Sequence, residues 1–455
     1  MLDETIIAVS TPLGYGGLGV VRLSGSQSLA IAQKIFKPKQ GLKKIPFRRP
    51  VLGNLYDFEQ KEFFDEAYLI FFPQPHTYTR EDMAEISCHG SPLLLEEIVR
   101  LGIKAGARHA SPGEFTLKAY LNGRIDIIQA EAVNDLITAT SLKQAKISFR
   151  QLEGSLSRTV NSLRRQIIHL LSQIEASIEF PDEGLKIFPQ TIRSALVRTE
   201  KTVKKLISSY DLGKVLSEGL SLVIAGRTNV GKSTLFNALL QKNRAIVTPY
   251  PGTTRDYLQE KLKINDTVFT LTDMAGIDSP SHPVEKEGIR RGKKIAASGD
   301  GILLVLDASR QESAEDIKFL KKYSHKKAIL LFNKTDLPLR MDIEKMKHIG
   351  KNTPALRISA LKGTNLKKLK KLISSHFIPT QKKSDEIILH LRQKLLLENI
   401  FCLLAQAKHL LAEGYSEEVY AEEIRKTIPL MAQLTGEIRD EEVIERIFSR
   451  FCVGK

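Results

Sequence analysis

Apolar and polar positions alternate with a period of two through roughly the first 120 residues, the mark of half-buried strands. "TIIAVS" (5–10), "LGVVRLSG" (18–25), "EAYLIFF" (66–72) and "MAEISC" (83–88) each predict a short strand bounded by turn residues. From Leu121 the period lengthens. Leu152, Leu156, Val160, Leu163, Ile167, Leu170, Ile174 and Ile178 step by three and four, which makes one apolar face of a long helix. "FPDEG" (180–184) then ends it with proline and glycine.

A different rhythm runs from "SLVIAG" (221–226) to about Phe377. Short, largely apolar runs ("FTLTD", "GILLVLD", "AILLFNK", "LRISA") alternate with helical stretches, the signature of an α/β unit with a largely parallel sheet. Beyond "IPTQKKSDE" the pattern returns to helix in "LLLENIFCLLAQAKHLL" and "EEVIERIFSRF". Pro429 predicts a kink within "IRKTIPLMAQL". The α/β unit is therefore expected as an insertion between two helical segments.

The 455 residues suggest two or three domains, and the mean hydropathy of −0.16 is that of a soluble globular chain. "MLDETIIAVSTPLG" lacks the basic and apolar regions of a signal peptide, and "GILLVL" (301–306) is too short to span a bilayer. The expected location is cytoplasmic. Cys88, Cys402 and Cys452 form no C-x-x-C pair, which argues against a zinc site or a disulfide framework. A net charge of +16 favours a polyanionic partner, nucleic acid first.

"GRTNVGKS" (226–233) is G-x-x-x-x-G-K-S between a strand and the helical "TLFNALLQ". In that setting backbone N–H groups cradle phosphates, Lys232 meets the β/γ oxygens and Ser233 ligates Mg²⁺. Asn229, Val230, Gly231 and Thr234 complete the nucleotide loop. Thr253 and Thr254 in "TPYPGTTRD" (248–256) suit a γ-phosphate-sensing segment, with Thr254 the second Mg²⁺ ligand. In "DMAGID", Asp273 and Gly276 follow a strand as a metal-side carboxylate and a γ-phosphate amide. "FNKTD" (332–336) selects the base. The Asp336 carboxylate accepts from guanine N1–H and the 2-amino group, a donor pair adenine lacks, while Asn333 and Lys334 support base and loop. Ser359 and Ala360 in "SAL" supply a backbone contact. The predicted ligand is GTP. Gly14-Tyr-Gly16-Gly-Leu-Gly19 formally matches a dinucleotide fingerprint, but a strand-like "VVRLSG" follows, so a hairpin turn is expected.

Taken together, "TPLGYGGLGVVRLSG", "YTREDMAEISCHG", "SPGEFTLKAYLNGRIDIIQAEAVNDLI", "GRTNVGKS", "TPYPGTTRD" and the terminal "FCVGK" resemble the MnmE (TrmE) family of tRNA-modification GTPases over essentially the whole chain. The resemblance implies a multidomain α+β fold. It contains an N-terminal mixed β/α folate-binding and dimerisation domain (1–118) and a helical domain in two parts (119–218 and 379–455). A Ras-like α/β P-loop GTPase domain (219–378) is inserted between them. It also implies a homodimer that works with a flavoprotein, MnmG (GidA), to place an aminomethyl or carboxymethylaminomethyl group on C5 of wobble uridine in certain tRNAs. A reduced folate donates the one-carbon unit. Arg22, Glu85, Arg124 and Lys455 are nominated for the folate, Lys455 in the assembled dimer, and Cys452 for a thiol role. On residue type alone each has an ordinary alternative: a solvated strand residue, a surface charge, a turn residue, or a small hydrophobe beside Phe451.

Ile277 stands where a water-orienting glutamine is common, and Met274 and Ala275 fill the slots between Asp273 and Gly276. Two replacements are available. Oxygen ligands from Asn229, with Thr248, Tyr250 and Thr253 in the segment that includes Pro249, Pro251 and Gly252, suit a hard monovalent ion. K⁺ there would neutralise charge as an arginine finger does; otherwise Asn229 is a loop-capping amide. An acid must also orient water. Asp278, Glu285 and Glu287 are candidates, and the resemblance selects Glu285.

Overall fold

The structure is a computed structural model describing residues 4–39, 44–180, 188–240, 259–273, 299–323, 326–351, 353–379, 386–438 and 440–455. The chain divides into two compact units, residues 1–134, 149–192 and 406–455 in one, and 135–148 with 193–405 in the other.

The first unit is built on a seven-stranded sheet. Its strands are β1 (Ile6–Val9), β2 (Gly16–Ser24), β3 (Phe36–Pro38), β4 (Val51–Asp57), β5 (Glu62–Phe72), β6 (Met83–Gly90) and β7 (Arg108–His109). They lie in the order β3-β4-β5-β6-β2-β1-β7, antiparallel except for β1 with β7. β4 alternates buried and half-buried positions along its whole length, as a sheet with one packed face requires. That face is covered by α1 (Ser28–Ile35) and α2 (Pro92–Lys104), which bury Ile31, Ile35, Leu95, Ile98 and Leu101 against Ile7, Leu23, Leu55, Leu69 and Ile86. Both helices sit inside the stretch whose period-two pattern predicted strands alone. They are short, and only the three-and-four spacing of Leu95, Ile98, Val99, Leu101 and Gly102 marks α2. β1 and β2 are antiparallel neighbours, so the glycine-rich link from Ser10 to Tyr15 is a hairpin connection and not a dinucleotide loop.

Beyond α3 (Glu114–Leu121) and α4 (Ile127–Ile137) the chain turns fully helical. Leu152 closes α5 (Leu142–Leu152), and Gly154, at φ 81, separates it from α6 (Ser155–Glu179). The expected apolar stripe is buried along α6 from Leu156 to Ile174. The single helix expected from Leu152 is thus two. In the same unit α13 (Glu417–Arg425) and α14 (Thr427–Thr435) meet at Lys426, and α15 (Glu441–Phe448) follows. Pro429 therefore interrupts the helical run as expected, as a break at Lys426 rather than a bend. It occupies the first turn of α14, where a missing N–H leaves no intrahelical bond unmade.

The second unit holds the α/β sheet: β8 (Leu220–Ala225), β9 (Gln259–Ile264), β10 (Thr267–Asp273), β11 (Gly301–Asp307), β12 (Ala328–Asn333) and β13 (Ala355–Arg357). Their order is β13-β12-β11-β8-β10-β9, all parallel except β9, which folds back on β10 through Asn265-Asp266. Every residue of β11 and of β12 is buried, because helices cover both faces. On one face α8 (Lys232–Leu240) and α11 (Leu366–Phe377) pack Leu235, Phe236, Leu369 and Ile373 on Ile224, Leu303 and Ile329. On the other, α9 (Ala314–Tyr323) and α10 (Ile343–Ile349) place Leu320 and Met346 on Val223, Leu304 and Leu330. The long helices α7 (Pro189–Glu218) and α12 (Leu391–Ala412) belong largely to this unit. By length and composition α12 is apolar enough to cross a membrane. Its buried positions, Gln393, Leu397, Ile400, Leu404 and Ala407, form one stripe, as in a helix packed on protein.

Candidate functional site

Strand order dictates where a ligand binds in the α/β sheet. The connections leaving β8 run toward β10 on one side and those of β11 toward β12 on the other, so a crevice opens at their carboxyl ends. The loop from Gly226 to Gly231 fills that crevice and leads into α8. Gly226 is required there, since a Cβ would lie 2.4 Å from the Val305 carbonyl oxygen. Gly231 has φ +97, and a Cβ on it would meet Asn333 Nδ2 at 2.3 Å. Asn229 adopts φ 60, the left-handed region that asparagine tolerates.

Lys232 is 5% exposed, and its Nζ donates to the Gly226 and Arg227 carbonyls at 2.7 and 2.9 Å. The ammonium is thereby curled into the loop it would serve. Beside it the Ser233 hydroxyl donates to Asp273 Oδ2 at 2.8 Å, bringing the P-loop and the end of β10 to one point. A hydroxyl and a carboxylate in contact are a hard-oxygen pair that suits Mg²⁺. Thr234 is exposed at the start of α8 and Val230 is buried.

The base-side residues interlock with the phosphate loop. Asn333 is 2% exposed; its Nδ2 donates to the Val230 carbonyl at 2.8 Å, and its Oδ1 accepts from the Ala360 amide at 2.9 Å. Lys334, itself at φ 64, donates to the Asn229 carbonyl and to Asp307 Oδ2, both at 2.7 Å. Ser359 donates to Asp336 Oδ1 at 2.6 Å. That bond, with Asp336's own amide and the nearby Lys362 and Lys334, holds the carboxyl below the usual carboxylate range. Asp336 is therefore presented as an anion, the acceptor form that guanine recognition needs.

Asp307, which the sequence reading passed over, ends β11 and is nearly buried. Burial alone would raise its pKa, but hydrogen bonds from Lys334 and from the Ser309 hydroxyl and amide outweigh that and hold it low. The signal was an acid at the carboxyl end of a wholly apolar strand.

A second concave site lies in the first unit. A cleft of about 530 Å³ is lined by Phe72, His76, Tyr78, Met83, Glu85 and Arg124 among others. Arg22 on β2 faces Glu85 on β6 in register and pairs with it at 2.8 Å. The Tyr78 ring lies near two guanidinium groups, 5.7 Å from Arg22 and 4.7 Å from Arg124. Burial raises the Tyr78 pKa, and its hydroxyl bonds Thr116 at 2.9 Å. Beneath it, Lys118 and Glu81 form a pair at 2.9 Å that anchors the segment carrying Tyr78. Tyr78 was within a quoted motif but was not singled out.

The end of the chain returns to this neighbourhood. Gly454, at φ +91, packs where a Cβ would lie 2.0 Å from the Val9 carbonyl oxygen. Lys455 follows, and its pKa is lowered by burial first and by the adjacent Arg22 second. Arg22 and Glu85 of the same chain both act on it electrostatically. Cys452 is exposed and its carbonyl accepts from the Gly113 amide at 3.4 Å; Cys88 is buried, its thiol pushed up to about 11 by burial and by Asp65. Thr248, Pro249, Tyr250, Pro251, Gly252, Thr253, Thr254, Met274, Ala275, Gly276, Ile277, Asp278, Glu285 and Glu287 lie outside the described residues.

The sequence is similar to known proteins along its whole length. Residues 5–124 match the model described as the GTP-binding protein TrmE N-terminus, and residues 127–452 the MnmE helical domain. The chain is 37% identical to a tRNA modification GTPase MnmE of Alkaliphilus metalliredigens, covering 100% of both chains. It is 39% identical to one from a Thermotoga species over 99% of this chain and 100% of that one, and 38% identical to one from Aquifex aeolicus over 100% of each.

Proposed function

The chain belongs to the MnmE family of tRNA-modification GTPases, and from that premise we propose that it is a potassium-stimulated GTP hydrolase that modifies wobble uridine. Working as a homodimer in the cytoplasm with an MnmG-like FAD protein, it adds an aminomethyl or carboxymethylaminomethyl group at C5 of U34 in certain tRNAs. A reduced folate supplies the one-carbon unit.

The observation that carries the reading is the convergence of Lys232, Ser233 and Asp273 on one side of the loop with Asn333, Asp336, Ser359 and Ala360 on the other. Phosphate, Mg²⁺ and guanine have a residue set each, on one rigid crevice. Mg²⁺ would be held by Ser233 and Thr254, with Asp273 accepting from its shell, and would neutralise charge on the phosphates. Lys232 leaves the Gly226 and Arg227 carbonyls for the β/γ oxygens, exchanging neutral acceptors for charged ones. For K⁺, Asn229 is the one nominated ligand among the described residues. Its backbone is pinned by Lys334, which leaves its exposed side chain as the free oxygen donor. Water orientation falls to Glu285.

The cleft beside Arg22 suits a folate on chemical grounds. Tyr78 and Arg124 offer planar groups to a flat π-system, Glu85 carries an acceptor for N–H groups, and Lys455 adds a basic group nearby. Two hydrolysis measurements test the proposal. Turnover in KCl is expected to exceed that in NaCl at equal ionic strength severalfold or more, and equal rates would remove the potassium claim. Glu285→Ala is expected to keep GTP affinity while losing turnover; lost affinity instead would make Glu285 a binding or folding residue.

A further inference from the structure

We propose that the exposed face of α7 between Arg193 and Lys205 is the surface on which this protein holds the phosphate backbone of its tRNA. The inference rests on the tRNA reading above and assigns it a place. Arg193, Arg198, Lys201, Lys204 and Lys205 are all exposed, and helical spacing puts Arg198, Lys201 and Lys205 on one line. At 1.5 Å per residue the five cations span about 18 Å along the axis.

Two features separate this face from an ordinary solvated helix. First, the charge is segregated: the acid within the stretch, Glu200, is 7% exposed, so the exposed side chains from Arg193 to Lys205 include no acid. Second, none of the five makes an ion pair among the described residues, whereas other surface cations in this chain do. Arg425 pairs with Glu175 and Glu422, and Lys426 with Glu423. Bringing five like charges together within a few turns costs self-repulsion unless a polyanion relieves it. The opposite face of α7 buries Leu196, Val203, Leu206 and Tyr210, which fixes the basic face outward. The stretch from Arg193 to Lys205 contains no aromatic residue, which favours backbone contact over base stacking.

The test uses the full chain and a fluorescein-labelled tRNA transcript with uridine at position 34. Lys201→Gln, Lys204→Gln and Lys205→Gln are combined; glutamine keeps helix propensity, and circular dichroism with basal GTP hydrolysis checks the fold. Removing three phosphate contacts is expected to flatten the slope of log affinity against log salt by about two. Lines that converge toward 1 M salt then differ on the order of 100-fold in affinity at 0.1 M. A control set on α11, Lys367→Gln with Lys368→Gln and Lys371→Gln, is expected to leave binding unchanged. Equal loss in both sets, unchanged affinity in the α7 set, or loss only of binding to an acidic protein partner would each overturn the assignment. Deletion of the gene separates the two claims. Altered U34 with unchanged tRNA binding by the α7 variant sinks this inference alone, whereas unaltered U34 sinks the functional reading itself.

Discussion

Asn333 shows how one side chain can tie base recognition to phosphate recognition. Its amide spans from the Val230 carbonyl to the Ala360 N–H, so neither loop can shift without breaking a buried bond. Asp336 acts differently, holding an anion ready under Ser359. Asp336→Asn is therefore expected to weaken GTP binding on the order of 100-fold, since its N–H₂ would face donors with a donor. The same variant should gain affinity for xanthosine triphosphate, whose C2 carbonyl accepts; competition binding with both nucleotides checks this. Asp307 carries a pH signature. Its folded pKa lies below the ordinary 3.8, so its stabilisation is fully present above that value and is lost as pH falls through the folded pKa. The stability gap between the protein and Asp307→Asn should thus be constant from about pH 5 to 8 and narrow below about pH 4, as denaturant titrations at several pH values would show. The motif residues were legible because phosphate and guanine chemistry restrict residue type. Asp307 and Tyr78 were less so, because Lys334 meets the first and Arg22 and Arg124 meet the second only in the fold.

At the level of elements, the P-loop depends on Gly226 and Gly231 and the C-terminal tail on Gly454. Gly231→Ala forces a left-handed residue and a clash with Asn333, and is expected to cost roughly 1–3 kcal/mol in thermal or denaturant unfolding, with GDP affinity falling alongside. Gly454→Ala should lift the tail from Val9 and carry Lys455 away from Arg22. Folate affinity is then expected to fall roughly tenfold, as for loss of one charged contact, while GTP hydrolysis is unchanged. Isothermal titration with a reduced folate reads the first and a phosphate-release assay the second. Strands β8, β10, β11 and β12 were readable because burial on both faces leaves runs dominated by apolar and β-branched residues, uninterrupted in "GILLVL" and "AILLF". The edge strand β9, "QEKLKI", was not, since half its residues face water and lysines interrupt it. The helix break at Gly154 was hidden inside a continuous apolar stripe, and the break at Lys426 was displaced three residues from the proline that signals it.

For the whole molecule, the alternation of patterns along the sequence already separated a strand-rich start, helical segments and an α/β insertion. What it could not supply was the return of the chain's last residues to the first strands, where Ser10 donates to the Gly454 carbonyl at 3.3 Å. That closure gathers Arg22, Glu85 and Lys455 in one unit, while the nucleotide crevice belongs to the other. Two sites, one fitted to GTP and one proposed for a reduced folate, are the combination that the proposed function calls for. Mass spectrometry of nucleosides from tRNA of a deletion strain, complemented with the natural chain or with Asp336→Asn, tests this most directly. The account predicts loss of the C5 substituent at U34 on deletion, restoration by the natural chain and none by the variant; U34 chemistry unchanged by deletion would contradict it.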